Sequence, residues 1–437
     1  MRERIRWMAL HGVVRGISAY GMRHGDPQAR LIADPAVRAD PAPFADEMRR
    51  RGPIIRGRAL YMTFDHGVAT DLLRSDDFRV SRLGGNLPRP LRWVADKTYT
   101  GGLHPLIAPS LLATEPPDHT RYRKLVSSVF TTRAVARLRE RVQDTADELL
   151  GSMDDDSVVD IVDQYCAQLP VAVISDILGV PDADRQQILH FGELGAPSLD
   201  IGLTWRQYQE VNSGIHGFEA WLTDHLRHLR RNPGEDLLSQ IIQASEAGAA
   251  GEPLNESELR ALAGLVLAAG FETTVNLLGN GIRMLLDHPE HLQTLAARPE
   301  LWPNAVEEIL RLDSPVLMSA RVALRDTEVA GTPVQAGELV IIHLAGANRD
   351  PAVFTDPHRF DIERDNAGRH LSFSGGRHFC LGAALARAEG QVGLQTFFER
   401  FPGARPAGAG SRRETRILRG WSTLPIALGK ARTAVSS

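Results

Sequence analysis

Apolar positions recur with a period near 3.6 over residues 133–153, 213–230, 255–287, 304–312 and 381–401. That period predicts helices with one buried face. The stretch 255–287 is the longest. Asn255 can cap its first turn, Glu258 three residues on completes a capping pair, and Pro289 cannot continue it. Some thirty residues at about 1.5 Å each make a rod of roughly 45–50 Å, enough to cross a domain. Its middle, 261–271, carries no charge, and Glu272-Thr273-Thr274 follow directly. A carboxylate and two hydroxyls inside a buried helix are costly unless paired or in use. Gly270 is a poor helix former and predicts a loosened turn or a close cofactor. Strand-like runs are fewer, at 327–329, 339–342 and 423–428. Proline and glycine between Gly84 and Pro117 predict a long irregular segment, the kind that is usually functional inside a compact domain. The sum is a mainly α fold with small β-sheets.

Composition adds bounds. The 437 residues would suit roughly three average domains. Hydrophobic content of 43% and charged content of 24% are ordinary for a globular protein, and a net charge of −4 argues against general nucleic-acid binding. Two cysteines exclude a disulfide framework and fit a reducing cytoplasm. Residues 1–25 start with a basic cluster, but Arg15 and Arg23 interrupt the apolar run. That run falls short of a membrane span, so a docked or peripheral amphipathic helix is expected, with no transmembrane anchor. The tail 430–437 reads as loose.

The chemistry concentrates at Cys380, in Phe373-Ser374-Gly375-Gly376-Arg377-His378-Phe379-Cys380-Leu381-Gly382. A cysteine before a helix, beside Arg377 and His378, has a setting that lowers its pKa and favours thiolate. Such a thiolate can ligate haem iron; a buried structural cysteine in a glycine-rich turn is the plainer alternative. Glu308 and Arg311 are i, i+3 neighbours, and Glu307 competes for Arg311 at i, i+4. His119 and Arg123 face one way from a helix opened by Pro116-Pro117-Asp118.

These four motifs together resemble the cytochrome P-450 family. The pattern F-x-x-G-x-(H/R)-x-C-x-G is filled at every position, although many bacterial members have glycine where Ser374 stands. Ala269-Gly270-Phe271-Glu272-Thr273-Thr274 matches (A/G)-G-x-(D/E)-T-(T/S), and the E-x-x-R and H-x-x-x-R motifs follow the family's order and spacing. The resemblance covers nearly the whole chain and is closest to soluble actinobacterial, including mycobacterial, members. It implies one catalytic domain over 1–437 with the P-450 triangular-prism fold, its long helix crossing over haem b (iron protoporphyrin IX). Cys380 would be the iron ligand, in a loop with Phe373. His119, Arg123, Arg321 and His378 would hold the propionates, and Gly270 would lie near the cofactor. Glu308, Arg311 and Arg359 would form a structural cluster beneath the loop.

The resemblance implies a cytoplasmic monooxygenase that hydroxylates a hydrophobic small molecule (a lipid, sterol, terpene or polyketide) with dioxygen and two electrons. Thr273 and Glu272 would deliver protons. Leu265, Ala268, Ala269, Leu317, Ile417 and Leu418 would line the pocket. No electron-transfer module is fused, so a ferredoxin and ferredoxin reductase are the expected partners, and the resemblance places Arg121, Arg123, Lys124, Arg377 and Arg387 on or near the proximal haem face, where all but an inward-turned Arg123 would suit an acidic ferredoxin. Three other readings compete. A peroxide-driven relative would lack the acid–alcohol pair that is present here. A non-catalytic haem protein would bind a hydrophobic ligand without turnover. A cysteine hydrolase would need a nucleophile elbow, which Cys380 lacks.

Overall fold

The computed structural model describes residues 1–431 apart from 86, 100, 128–131 and 250, and leaves the side chains of 132–137 aside. Residues 432–437, most of the expected tail, lie outside that description. The fold is mainly helical, with four small sheets among the described residues.

The central helix runs Glu256–Leu286, with the Asn255–Glu258 capping box formed in both directions. It has apolar residues on every side because it runs through the core. Its length and composition would also suit a membrane span, but 72% of its most apolar window is buried within the fold. The helix Ala383–Arg400, which follows the Cys380 loop, packs against it and against Thr132–Gly151. Glycines allow the close approach. A Cβ on Gly390 would lie 2.9 Å from Leu277, and one on Gly393 would lie 2.8 Å from Leu278.

Four of the five helices expected from the sequence lie within two residues of the observed bounds. The helix expected at 213–230 begins earlier, at Trp205, where Thr204 and Gln207 form a capping box. The segment 84–117 is not wholly irregular. Arg89–Lys97 is helical, with Pro88 as its cap and Pro90 in its first turn, where the missing N–H costs nothing. Ala95 packs against Ala9 and Leu10 of the N-terminal helical run Arg2–Arg23. That run is fastened elsewhere by the Trp7 indole, which donates to the Leu203 carbonyl at 2.9 Å.

The five-stranded sheet has the order Ile55–Arg56, Tyr61–Thr63, Leu339–Ile342, Ser319–Ala323, Phe78–Val80. Leu339–Ile342 pairs parallel to Tyr61–Thr63 and antiparallel to Ser319–Ala323, with Arg321 opposite Val340. The expected strand at 423–428 is two strands, Trp421–Thr423 and Pro425–Ala427, in different sheets.

Beneath the Cys380 loop, Glu308 is fully buried and accepts from Arg311 at 2.6 and 2.8 Å. The third member is Arg364, whose Nε donates to Glu308 Oε1 at 3.0 Å, and not Arg359. Arg359 contributes its carbonyl, which accepts from Arg311 and Arg364. Its side chain is exposed, because the chain turns after Pro357 and brings residue 364 back over Glu308. Glu307 does not compete for Arg311. It pairs with Arg387 at 2.5 Å and with His370 at 3.1 Å, which hold its carboxyl down at about 2 against the pull of burial.

Removing Arg364 leaves a buried carboxylate half-paired. Arg364→Ala is expected to lower stability by about 3 kcal/mol, whereas Arg359→Ala stays within about 0.5 kcal/mol of wild type. Denaturant midpoints of the two variants check this ordering.

Candidate active site

The loop that presents Cys380 is tied to itself. Cys380 N–H donates to the Phe373 carbonyl at 2.9 Å, and Ser374 N–H to that of Leu371 at 2.8 Å. Ser374 and Gly376 both sit at positive φ, +61° and +62°. A glycine at 374 would adopt this conformation freely, so Ser374 holds it at a cost. At 376 only glycine fits, since a Cβ would lie 2.4 Å from the Leu73 carbonyl oxygen.

The loop is also tied to the ion cluster. Arg311 donates to the Asn348 carbonyl at 2.9 Å. Asn348 accepts from Leu371 N–H and donates to Ser372 Oγ, which donates to the Leu310 carbonyl. Phe373 lies under the Arg387 guanidinium at 4.5 Å. Cys380 is accessible on one side and closely packed on the others. Burial pushes its thiol pKa up, despite the opposing Gly382 N–H, Arg123 and Arg387. The expectation that the cations and helix end would dominate is therefore corrected for the free thiol: burial wins. Cys166 is fully buried, and its thiol is pushed beyond the usual range.

A chamber lined by two histidines and a buried arginine flanks the loop. His119 and His378 rings lie 4.5 Å apart, and Arg321 is 3% exposed. His119 Nε2, His378 Nε2 and Arg321 Nη2 are buried with no hydrogen-bond partner within the protein. Burial and mutual repulsion lower His119 to about 4 and Arg321 to about 10. A group carrying two carboxylates fits these orphaned donors. Arg123 behaves differently from expectation. Its guanidinium donates to the Arg377 and Phe379 carbonyls, bracing the loop. Glu115, which the sequence reading passed over, accepts from Val80 N–H at 2.7 Å and lies 3.5 Å from His378 Nε2. Burial raises its pKa, but these contacts and Arg377 hold it at about 2. Its place just before the His119 motif was the only available signal.

The central helix supplies an apolar wall. Ala268 and Ala269 are exposed and Leu265 and Thr273 half-buried, in a stretch where nearly every other residue is buried. This is the face expected to line a pocket. Thr273 Oγ1 donates weakly back to the Ala269 carbonyl at 3.3 Å. Gly270 marks a close approach within the fold. A Cβ there would lie 2.7 Å from Ile174, so the close contact is with the helix Gln168–Ile177. Leu317 N–H donates to the Ile417 carbonyl at 2.8 Å. Leu317 and Leu418 are packed away, while Ile417 stays half-accessible, its N–H held by the buried Asp200.

Glu272 is 5% exposed, and burial raises its pKa to about 7 against the pull of Arg413, whose Nη1 lies 3.0 Å from Oε1. Arg413 is distant in sequence and carries no motif. Thr274 points the opposite way from the wall and donates to Glu389 at 3.1 Å. Glu389 is buried and pushed up to about 8 by desolvation.

The basic patch is largely neutralised internally. Arg121 pairs with Glu258 at 2.5 Å, Arg377 with Asp76 and Glu115, and Arg387 with Glu307. Arg123 and Lys124 alone of the five have no carboxylate partner among the described residues.

A thiol on a glycine-bearing loop, a chamber of unpaired donors beside it and a polar-tipped apolar helix wall are chemically suited to holding a haem. The chain belongs to the cytochrome P450 family, which it matches over residues 107–409. It is 66% identical to cytochrome P450 140 of Mycobacterium tuberculosis over the full length of both chains. It is 36% identical to vitamin D(3) 25-hydroxylase of Pseudonocardia autotrophica, over 89% of this chain and 94% of that one. The solved structure of Mycobacterium smegmatis CYP164A2 with econazole bound superposes with a TM-score of 0.82 at 35% identity, covering 92% of this chain and 99% of that one. The fold is that of the P450s, and the protein is a haem-binding monooxygenase.

Cys380→Ser is expected to abolish the red-shifted Soret band of the reduced carbon monoxide complex, with Cys166→Ser leaving it intact; absorbance spectra decide. Glu389 gives a pH test. Its folded pKa of about 8 lies above the ordinary 4.5, so the unfolded chain releases this proton first as pH rises. Its contribution therefore lowers stability between pH 4.5 and 8, by about 1.4 kcal/mol for each pH unit crossed. Glu389→Gln removes that slope, so melting curves of variant and wild type should diverge in the variant's favour with rising pH.

Proposed function

We propose that the chain, as one catalytic unit over 1–437, hydroxylates a hydrophobic small molecule of the lipid, sterol, terpene or polyketide class. Haem b is the proposed cofactor, the cytoplasm the proposed location, and a separate ferredoxin with its reductase the electron source. Of the proposed docking cations, Lys124 is the exposed one with no carboxylate partner among the described residues. The observation that carries this reading is Glu272-Thr273 at the edge of an accessible apolar helix face.

Haem held by Cys380 supplies dioxygen activation and C–H oxidation. The protein's part is to bind, exclude water and move protons. His119 and Arg321 offer unpaired donors that would hold the two propionates, with His378, 3.5 Å from Glu115, beside them. Ala268 and Ala269 leave room for a substrate, and Leu265 and Ile417 give it apolar contact. Thr273 both donates and accepts, so it can hold a water in line. Glu272, titrating near 7, can take and release a proton at working pH. This pair disfavours a peroxide-driven enzyme, which has no need of it.

Two variants test the reading. Ala269→Phe should block substrate-induced spin shifts while haem content stays normal, as read by titration of a compound library. Thr273→Ala should still bind haem and substrate and consume reductant, but release peroxide in place of product. The control is Thr274→Ser, because Thr274→Ala would strip Glu389 of its hydrogen bond. Equal product yield from wild type and Thr273→Ala would count against the role of Thr273.

A further inference from the structure

The N-terminal run Arg2–Arg23 wears its amphipathic pattern inside out. The side turned to the body carries mostly small or polar residues, with Ala9, His11, Ser18 and Gly21 buried beside Leu10. The side turned outward carries the larger apolar ones. Ile5 is 41% exposed, Met8 50%, Ile17 50% and Tyr20 52%. Twelve large apolar side chains are exposed among the described residues, so this one run supplies a third of them. A helix that served only to dock on the body would bury such residues. On an uninterrupted α-helix Met8 and Ile17 would lie on opposite sides. The π-turn Met8–Gly12 takes in about one residue more than an α-turn, which swings Ile17 round by roughly a quarter turn toward Met8.

The run is fixed in place. Arg6 donates to the Ala95 carbonyl and lies over the Tyr99 ring at 4.5 Å. His11 Nδ1 accepts from Leu203 N–H at 3.4 Å, and burial keeps that ring neutral, with its pKa lowered to about 4. Arg15 donates to the Gly202 carbonyl at 3.0 Å, which sets the exposed Ile201 nearby. The outward stripe is therefore presented on a helix already formed, and no ordering cost remains for a partner to offset. Charge follows the same run. Residues 1–25 hold five arginines against one acid, Glu3, in a chain whose net charge is −4. Arg2, Arg4, Arg15 and Arg23 are exposed, and none has a carboxylate partner among the described residues.

We propose that the outward side of this run is a surface that lays the protein reversibly against a membrane rich in anionic phospholipid. The helix lies in the plane of the interface, with Ile5, Met8, Ile17 and Tyr20 entering the acyl boundary. The arginine stems lie along apolar surface while their guanidinium heads reach lipid phosphates, which they bind in bidentate fashion. An acidic globular partner would satisfy the arginines, but it would need a groove shaped to four apolar side chains projecting from a convex helix. Fluid acyl chains need no such groove.

The full-length haem-loaded protein is mixed with phosphatidylcholine vesicles, with and without phosphatidylglycerol, and bound protein is measured by flotation. It should bind the anionic vesicles far more tightly than the neutral ones, and binding should weaken as salt screens the arginines. Arg2→Gln combined with Arg4→Gln should weaken binding roughly twentyfold, about fivefold for each cation near such a surface. Ile5→Ser combined with Met8→Ser should abolish it, with the spectrum of the reduced carbon monoxide complex and the melting point unchanged. Where that pair lowers the melting point, Ile17→Ser combined with Tyr20→Ser tests the same stripe. No binding to anionic vesicles at low salt overturns the proposal. Equal binding to neutral vesicles also overturns it, as does binding that survives both apolar pairs. Sedimentation velocity without vesicles gives the remaining outcome: a dimer that the apolar pairs dissociate would assign the stripe to a second copy of the chain and overturn the membrane assignment.

Discussion

Glu308 is a carboxylate with no access to water, held between Arg311 and Arg364, and the place of Cys380 depends on it. Alone, such a charge would be expelled from the core. Here the surplus donors of Arg311 reach the Asn348 and Pro357 carbonyls, and Asn348 grips Leu371 and Ser372. Those residues open the loop that closes on Cys380 through the Phe373 carbonyl. A second carboxylate, Glu307, points the other way on the same helix and pins Arg387 over the Phe373 ring. One helix, Trp302–Leu312, thus anchors both ends of the thiol loop with adjacent acids. A buried ion network is a weak source of net stability but a strong constraint on geometry, and here it fixes the loop that presents Cys380.

The site itself divides its polarity by side. Orphaned donors of His119, Arg321 and His378 collect where an anionic cofactor edge would sit. The central helix shows small apolar side chains on one face and, on the other, an acid and one amide, Asn276, whose hydrogen bonds are unmet within the protein. Glu272 and Thr273 are consecutive, so they sit about 100° apart at the border of the two faces.

Much of this was legible in the chain. The central helix, its cap, the thiol loop and the E-x-x-R pair rest on local signals: period, capping chemistry, glycine and short spacing. These are fixed by neighbours within a few residues, so a linear reading finds them. Arg364 in place of Arg359, Arg413 opposite Glu272, and Glu115 beside His378 were not legible in this way. Each is joined to its partner across dozens to hundreds of residues, and many arginines along the chain were equally eligible by type. Gly270 shows the limit within a helix. Its type announced a close approach, but only the packing of Ile174 against it decided what approaches. The order of residues is enough to say which of them carry the chemistry, because that depends on side-chain type and near neighbours. Which charges are paired, which are left unsatisfied, and therefore where protons and anions can go is settled only once the chain has folded, because burial and distance belong to the fold and not to any segment.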